Sequence, residues 1–425
     1  MKVKIDYGTD GLEIEIPTTL KTDIVRPEAV PPLSDPFNAI LESLDNPDVS
    51  EPFKDLLATS KPESIVIVIS DSTRPVPSRP IVEALLRQLN EAGIKDQNIK
   101  LLIATGLHRR TNFSELKRML GKEILHRVDV LNHDATNLEN LEYLGETSYG
   151  SPIYINKDYL NADFKIITGY VEPHFFAGFS GGRKAISPGI VGEETILGNH
   201  SAKNIAHPEA RFGVVKGNPI YEDALETAKH KKIRPDFMIN VCINAQHKIT
   251  RVVSGGLGAH GLLVDYQKQI AMQPISHPYD IVICNNGGAP LDLNLYQAVK
   301  SMVIGELAVK QGGTIISVNE LRDGVGQPHF EEFINRSEEP SVLYTQITDG
   351  KISMADQWQV QCLTRVLMKA EVYVVSTMEE NDLGKIGLKY ASTVEDALSK
   401  AMEKHGKDAS LLVLPNGPQI IPYLE

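Results

Sequence analysis

A short run of β-branched residues recurs in this sequence, each time followed by a polar turn and then by a helical pattern. The first run, SIVIVIS, covers residues 64–70. Runs without polar alternation are typical of strands that are buried on both faces of a parallel sheet. Similar runs follow at residues 99–104 and 164–168. The pattern predicts an α/β fold in which each strand leads through a loop into a helix.

A second series of such strands is predicted at residues 280–284, 314–318, 371–375 and 410–414. Between the two series, residues 272–279 contain two prolines, which indicates a hinge or a domain boundary. With 425 residues, the chain is also too long for one simple core. The sequence therefore predicts two Rossmann-like α/β domains, residues 1–271 and 280–425, that face each other across a cleft.

Local signals mark several element ends. Charged and apolar residues alternate around the turn from Gly8 to Gly11, which predicts a hairpin and not a signal peptide. The pair Asp35 and Pro36 predicts a helix start. For the helix after the first buried strand, we expect Ser78 to be the cap and Gly93 the end.

Composition narrows the class of function. The formal net charge is −12, which argues against a broad basic face for nucleic acids and favours a protein that handles small molecules. No apolar run approaches the roughly 20 residues that a spanning helix needs, so we expect a cytoplasmic protein with no membrane partner. Cys242, Cys284 and Cys362 are odd in number and far apart, which is typical of core residues.

Polar side chains follow the three strands of the first series. Asp71 and Arg74 come after the first strand, His108 after the second, and His174 and Lys184 after the third. In open parallel sheets, ligands bind outside the carboxyl ends of the strands. The sequence therefore predicts that these five side chains converge on one site.

The stretch 169–201 carries much of this site. Seven of its 33 residues are glycine, so its backbone is expected to bend sharply. Lys184 lies between a glycine pair and an apolar pair, which suggests a partly desolvated, nucleophilic amine. His200 could be a ligand or simply end the helix TILGNH. The other histidines are interpreted as structural: His126, His133, His207, His230, His247, His260, His277, His329 and His405.

Two further patterns lie outside that stretch. Residues 256–261, GLGAHG, formally match a dinucleotide fingerprint, but the preceding strand carries Lys248 and Arg251, which favours a plain glycine turn. On a helix predicted from about residue 292, Tyr296, Gln297 and Lys300 can share one face.

Four segments together resemble the nickel-pincer-dependent lactate racemase family. They are DSTRPVPS, ATGLHRR, EPHFFAGFSGGRKAISPGI with the downstream GNHS, and NNGGAPLDLNLYQAVK. The resemblance covers nearly the whole chain, and the segments come in the family's order. It implies a lactate racemase that acts by hydride transfer, with pyruvate as the intermediate and two acid/base histidines, His108 and His174.

The resemblance also implies a cofactor, a nickel complex of pyridinium-3,5-bisthiocarboxylate mononucleotide, made by separate cofactor-biosynthesis enzymes. By the resemblance, Lys184 is joined covalently to it and His200 is the metal ligand. The cofactor-lining loop that the resemblance implies consists of Asp71, Ser72, Thr73 and Arg74.

For the substrate, the resemblance implies binding by Arg74, Gln297 and Lys300. Tyr296 and Trp358 fall where the family also has aromatic residues, and we expect Leu107 to shape the pocket. Three alternatives remain open: a racemase or epimerase of another 2-hydroxy acid, a nicotinamide-dependent dehydrogenase that uses residues 256–261, and a cofactor carrier.

Overall fold

The computed structural model describes residues 1–336 and 339–425. Its strands are β1 (Lys2–Ile5), β2 (Leu12–Glu15), β3 (Lys21–Ile24), β4 (Ile65–Ser70), β5 (Ile99–Ala104), β6 (Asp129–Asn132), β7 (Leu141–Glu146), β8 (Pro152–Asn156), β9 (Phe164–Tyr170), β10 (Pro173–His174), β11 (Gly178–Phe179), β12 (Phe237–Ile243), β13 (Ile249–Gly255), β14 (Met272–Ile275), β15 (Tyr279–Cys284), β16 (Val309–Val318), β17 (Glu371–Val375), β18 (Lys389–Tyr390), β19 (Ser410–Leu414) and β20 (Ile421–Leu424).

The α-helices are α1 (Pro36–Asp45), α2 (Phe53–Ser60), α3 (Ser78–Glu91), α4 (Phe113–Leu125), α5 (Lys157–Leu160), α6 (Glu193–Asn199), α7 (Ala202–Ile205), α8 (Pro219–Lys229), α9 (His260–Ala271), α10 (Leu295–Ala308), α11 (Pro328–Ile334), α12 (Pro340–Thr348), α13 (Gln357–Lys369) and α14 (Val394–His405). Within the described residues, every helix is too short or too polar to span a lipid bilayer.

The first sheet has six strands in the order β13-β12-β9-β4-β5-β6. All of its pairings are parallel except that of β12 with β13. Its central strands are apolar on both faces because helices cover both sides, and residues 65–69 are all fully buried. The pairing of Ser70 with Ala104 brings the ends of β4 and β5 to the same edge. The predicted first series is therefore confirmed.

The second sheet has the order β18-β17-β16-β15-β19-β3, with all pairings parallel. The predicted second series is thus confirmed, and so is the fold of two α/β domains. One hydrophobic core cluster includes Val66 and Val68 of the first sheet together with Val282 and Leu412 of the second. The two halves therefore share apolar packing beside the cleft.

The start of the chain lies with the second sheet, although we had assigned residues 1–271 to the first domain. β3 pairs with β19, and Val3, Ile5 and Ile14 of the predicted hairpin pack into the core of the second half. β3 is short and polar, with the sequence KTDI, so no periodicity indicated a strand. Of the expected hinge at 272–279, residues 272–275 form β14, which pairs with β20. Its action as a hinge stays a prediction.

Helix capping follows the sequence signals in one place and not in another. Asp35 caps α1 as predicted, since its carboxylate accepts a hydrogen bond of 3.0 Å from the amide of Asn38. Ser78 was wrong as a cap because it is the first residue of α3, and the cap position belongs to Pro77. Pro77 has no side-chain acceptor, so the amides at the start of α3 receive no side-chain cap.

The glycine pattern at 256–261 is a turn, as favoured above. β13 runs antiparallel to β12 at the edge of the sheet, whereas a dinucleotide site needs a parallel strand that leads into its helix. The turn passes along the backbone of Val49 and leads into α9. This geometry removes the support for a nicotinamide site there.

The loop that carries His108 is fixed by the start of α4. Asn112 and Glu115 form a capping box, in which each side chain accepts a hydrogen bond from the other residue's amide, at 3.0 and 2.9 Å. Arg109 donates to both carboxylate oxygens of Glu115, at 2.9 and 2.7 Å. The bond from Arg109 is the main reason that the pKa of Glu115 falls to about 2; the Asn112 amide assists and burial opposes the shift.

This lowered pKa predicts acid-sensitive stability. Ionised Glu115 stabilises the fold above its ordinary pKa of 4.5, and that contribution is lost as the pH falls toward 2. We expect Glu115→Gln to lower the free energy of unfolding by about 1 to 2 kcal/mol at neutral pH, after allowance for solvent screening. Urea unfolding at neutral pH and near pH 3 would measure it, and the deficit should shrink at the lower pH.

The matched control is Glu123→Gln, an exposed glutamate on the same helix that lies 3.5 Å from Arg79. It should change the stability little at either pH. A deficit for Glu115→Gln of the same size at both pH values would contradict the role given to its charge.

Candidate active site

One cavity lies at the carboxyl ends of β4, β5 and β9 and is closed by residues from the second half of the chain. It encloses about 1010 Å³ of space, counting its open mouth. The structure brings these predicted residues together in its wall: Asp71, Arg74, Leu107, His108, His174, Lys184, His200, Tyr296, Gln297, Lys300 and Trp358. Ser72 and Thr73 lie in the same turn but do not line the cavity.

His108 is held by a buried carboxylate. Its Nδ1 lies 2.7 Å from Oδ2 of Asp71, and Oδ1 of Asp71 accepts hydrogen bonds from the amide and hydroxyl of Thr73 at 3.1 and 2.7 Å. Burial alone would raise the pKa of Asp71, but His108, Arg74 and Thr73 together lower it. Asp71 is therefore ionised, so Nδ1 of His108 donates to it and Nε2 is the ring nitrogen left for a ligand.

His174 has the opposite surroundings. Its Nδ1 accepts a hydrogen bond of 3.2 Å from the amide of Ala177. Burial lowers the pKa of His174 well below its ordinary value, and the nearby basic groups Lys184, Lys300 and Arg74 lower it further. The ring is therefore neutral, with its proton on Nε2.

The position of the proton on His174 determines the protonation state of Lys184. Nε2 of His174 lies 3.1 Å from Nζ of Lys184. Because Nε2 carries the proton, it donates, and the lysine nitrogen must supply a lone pair. Burial lowers the pKa of Lys184 well below its ordinary value, assisted by Arg183, Arg74 and Lys300. Geometry and electrostatics thus agree on a neutral amine, the nucleophilic form.

The turn before Lys184 needs its two glycines. Gly181 and Gly182 have φ values of 75° and 54°, in the region that favours glycine. A Cβ on Gly182 would lie 2.7 Å from the ring of His260, and one on Gly181 would lie 2.5 Å from Oδ1 of Asn240. The same Oδ1 accepts a hydrogen bond of 2.7 Å from the amide of Gly182. The turn is therefore packed tightly against β12 and α9.

Arg183 anchors the segment behind Lys184. It is 1% exposed, and its Nη2 donates to the carbonyls of Ala177 and Phe179 at 2.9 and 3.0 Å. Its guanidinium carbon lies 3.6 Å from the ring centroid of Tyr221, a stacked arrangement. Arg183 therefore fixes the backbone that positions both His174 and Lys184.

His200 follows α6 directly, so it both ends that helix and lines the cavity. Its ring meets Phe176 and Trp358 edge-on, with centroids 4.9 and 5.1 Å away. Burial lowers its pKa well below the ordinary value, with a contribution from Lys184. Its Nδ1 has no hydrogen-bond partner among the described residues. The ring is a neutral imidazole, which is the form that binds metals.

The second half of the chain supplies polar groups from α10 and α13. Nζ of Lys300 donates to Oε1 of Gln297 at 2.5 Å, and the indole of Trp358 donates to the hydroxyl of Tyr296 at 3.1 Å. Burial lowers the pKa of Lys300, and Arg74 contributes. Burial raises the pKa of the nearby Glu172 carboxyl, and Arg74, Lys300 and Lys184 oppose that shift.

The chain is similar to known proteins over nearly its whole length. Residues 7–213 match the sequence model of the lactate racemase N-terminal domain, and residues 275–421 match that of the lactate racemase C-terminal domain. The lactate racemase of Thermoanaerobacterium thermosaccharolyticum is 36% identical over 425 residues, 99% of this chain and 98% of that protein. The chain belongs to the lactate racemase family. The lactate racemase of Lactiplantibacillus plantarum is 38% identical over 384 residues, 89% of each chain.

Two solved structures have the same fold as this chain. The lactate racemase apoprotein from T. thermosaccharolyticum superposes with a TM-score of 0.90 at 35% identity, covering 99% of this chain and 100% of that one. A Thermotoga maritima protein gives a TM-score of 0.72 at 20% identity, covering 93% and 99%, which shows the fold alone.

Sequence reasoning missed several residues of this lactate racemase family site. Glu172 and Asp356 were not singled out, and Arg183, Asn240 and His260 were not assigned to it. Arg183 stands beside Lys184, and Glu172 stands two residues before His174, so proximity was an available signal. Within residues 1–336 and 339–425, no group of three or more His, Cys, Asp or Glu side chains is arranged to hold a metal ion.

The neutral state of Lys184 can be tested in cofactor-free protein. We expect trace acylation of Lys184 by acetic anhydride to fall much less between pH 9 and pH 6 than that of exposed Lys117, because a lowered pKa keeps the amine unprotonated. Peptide mass mapping of the two sites would measure both rates. An equal fall for the two lysines would contradict a neutral Lys184.

Proposed function

We propose that this protein interconverts D- and L-lactate with the aid of a nickel-pincer cofactor. The observation that carries the proposal is the pair of histidines in one cavity, with His108 bonded to a carboxylate and His174 surrounded by cations. Groups whose surroundings differ in this way are suited to act as an acid and a base at the same pH. The family membership supports lactate as the substrate.

The residues present fit the proposed cofactor. Lys184 offers a neutral amine for covalent attachment, and His200 offers a neutral ring whose Nδ1 has no protein partner among the described residues. Imidazole suits nickel, so His200 would hold the metal while an organic chelator supplies its other donors. Arg74 supplies positive charge for anionic groups, and Lys300 supplies a hydrogen-bond donor in the same wall. The Asp71–Arg74 turn would line the cofactor mainly through Asp71 and Arg74.

The chemistry explains why a cofactor is needed. The C2 hydrogen of a 2-hydroxy carboxylate is poorly acidic, so two bases alone would remove it as a proton only slowly. When bound, the nickel-pincer group would supply a reversible acceptor for that hydrogen as hydride. The carbon skeleton then passes through planar pyruvate, which can be reduced on either face.

The side chains of this protein would perform the remaining steps. Arg74, Lys300 and Gln297 would bind the carboxylate and fix the orientation of C2. One histidine in its neutral form would take the hydroxyl proton of the substrate, and the other in its protonated form would give a proton to the keto oxygen as the opposite enantiomer forms. Each well-placed histidine contributes about 10² to 10⁴-fold to the rate.

The test compares protein co-expressed with cofactor-biosynthesis enzymes. We expect the loaded wild type to racemise both lactate enantiomers, and His108→Ala and His174→Ala to lower kcat by about 10² to 10⁴-fold. Chiral chromatography of lactate would measure the rates. Lys184→Ala should lose the covalent adduct seen in the intact-protein mass.

His126→Ala is the matched control, because His126 is exposed at the end of α4, outside the cavity wall. It should keep wild-type activity. If wild type carrying both nickel and the adduct left each lactate enantiomer unchanged, the proposal would be wrong.

A further inference from the structure

Asp356 lines the cavity but has no part in the function proposed above. It immediately precedes α13 and is 5% exposed. Asp71 and Asp356 are the two acidic residues in the cavity wall. Both oxygens of Asp71 are engaged by His108 and Thr73, whereas Asp356 forms no ion pair with any described residue. Asp356 is thus the carboxyl in the wall that has no ion-pair partner; the hydroxyl of Tyr296 and the amide of Phe330 are its neutral hydrogen-bond partners.

The carboxyl of Asp356 does not cap the helix that follows it. Aspartate in the cap position normally accepts a hydrogen bond from an amide of the first helical turn. Asp356 makes no such side-chain bond and adopts the left-handed conformation, with φ 66° and ψ −3°. Such conformations are costly for residues other than glycine and cluster at functional sites. Here the conformation leaves the carboxyl facing the cavity.

Asp356 forms no ion pair with a lysine or arginine among the described residues. Burial raises the pKa of Asp356 to about 6, opposed by the imidazoles of His108 and His329 and by the hydroxyl of Tyr296. Above that pH it is an anion. Tyr296, whose hydroxyl contacts this carboxyl, lines the same cavity as Arg74.

The negative charge of Asp356 affects which 2-hydroxy acids can bind in the cavity. A 2-hydroxy acid whose carboxylate binds Arg74 and Lys300, and whose hydroxyl lies between the two histidines, must direct its C2 substituent to the remaining wall. A methyl group meets Leu107 and Trp358 there without penalty. A second carboxylate would approach Asp356, and juxtaposed like charges repel strongly in a buried site.

We propose that Asp356 is a specificity-determining residue whose carboxyl excludes 2-hydroxy acids with a second carboxylate and so selects monocarboxylic substrates such as lactate. This inference rests on the proposed function and names the substrate class of the same site. Discrimination of this kind uses a repulsive element and not only new attractive contacts.

The test uses Asp356→Asn, which removes the charge, keeps the shape and tolerates the left-handed backbone. Loaded wild type and variant, matched for nickel and adduct mass, are assayed with lactate and with malate. We expect the ratio of kcat/KM for malate to that for lactate to rise by about 10- to 100-fold in the variant, as removal of a like-charge contact predicts. Asp349→Asn, an exposed aspartate beside Lys351, should leave the ratio unchanged.

Calorimetric titration of cofactor-free protein with malate and with lactate gives a readout that does not depend on turnover. Asp356→Asn should tighten malate binding by at least about 10-fold relative to lactate. If both ratios stayed within threefold of wild type, or if wild type preferred malate, the inference would be overturned. Loss of racemisation by loaded wild type would instead count against the proposed function, while the binding ratio would still decide the role of Asp356.

Discussion

Desolvation is the constraint on which this site depends. Lys184, Lys300, His174 and His200 would carry up to four positive charges in water, yet they line one cavity whose walls include Phe175, Phe176 and Trp358. Burying unpaired charges is costly, so basic groups in such a place lose their protons. The structure therefore makes a neutral amine and neutral imidazoles out of residues that are otherwise cationic, without any special chemistry at the residues themselves.

The same burial makes small differences in hydrogen bonding decisive. Nδ1 of His108 donates a hydrogen bond to Asp71, whereas Nδ1 of His174 accepts a hydrogen bond from the amide of Ala177. Both rings thus use Nδ1 to contact the protein and leave Nε2 for the cavity, but Nδ1 is a donor in His108 and an acceptor in His174. The contact of His174 depends on the backbone around residues 177–182. Arg183, Asn240 and His260 form hydrogen bonds with that backbone.

The sequence was sufficient for those parts whose signals are local. Buried parallel strands are continuous apolar runs, and their carboxyl ends must meet, so the placement of Asp71, His108 and His174 on one edge could be predicted. β3 could not, because a four-residue polar strand owes its existence to the edge of β19 and not to its own pattern. Asp356 was missed because its place in the cavity wall depends on a left-handed backbone and on neighbours as far away in sequence as His108.

The path of the chain also constrains how the cleft can open. The chain crosses between the halves once after β3, where the amide of Val25 bonds to Val413 and that of Leu33 bonds to Ile249, and again at β14. The two crossings lie side by side, since the amide of Glu28 donates to the carbonyl of Ile270 at 2.9 Å.

One linker alone allows rotation in any direction, whereas two adjacent crossings favour rotation about the line they share. Such a rotation separates Gln297 and Lys300 from the histidines while it leaves the interior of each half intact. His108 and His174 both belong to the first half of the chain, so such an opening would expose the cavity without separating them from each other.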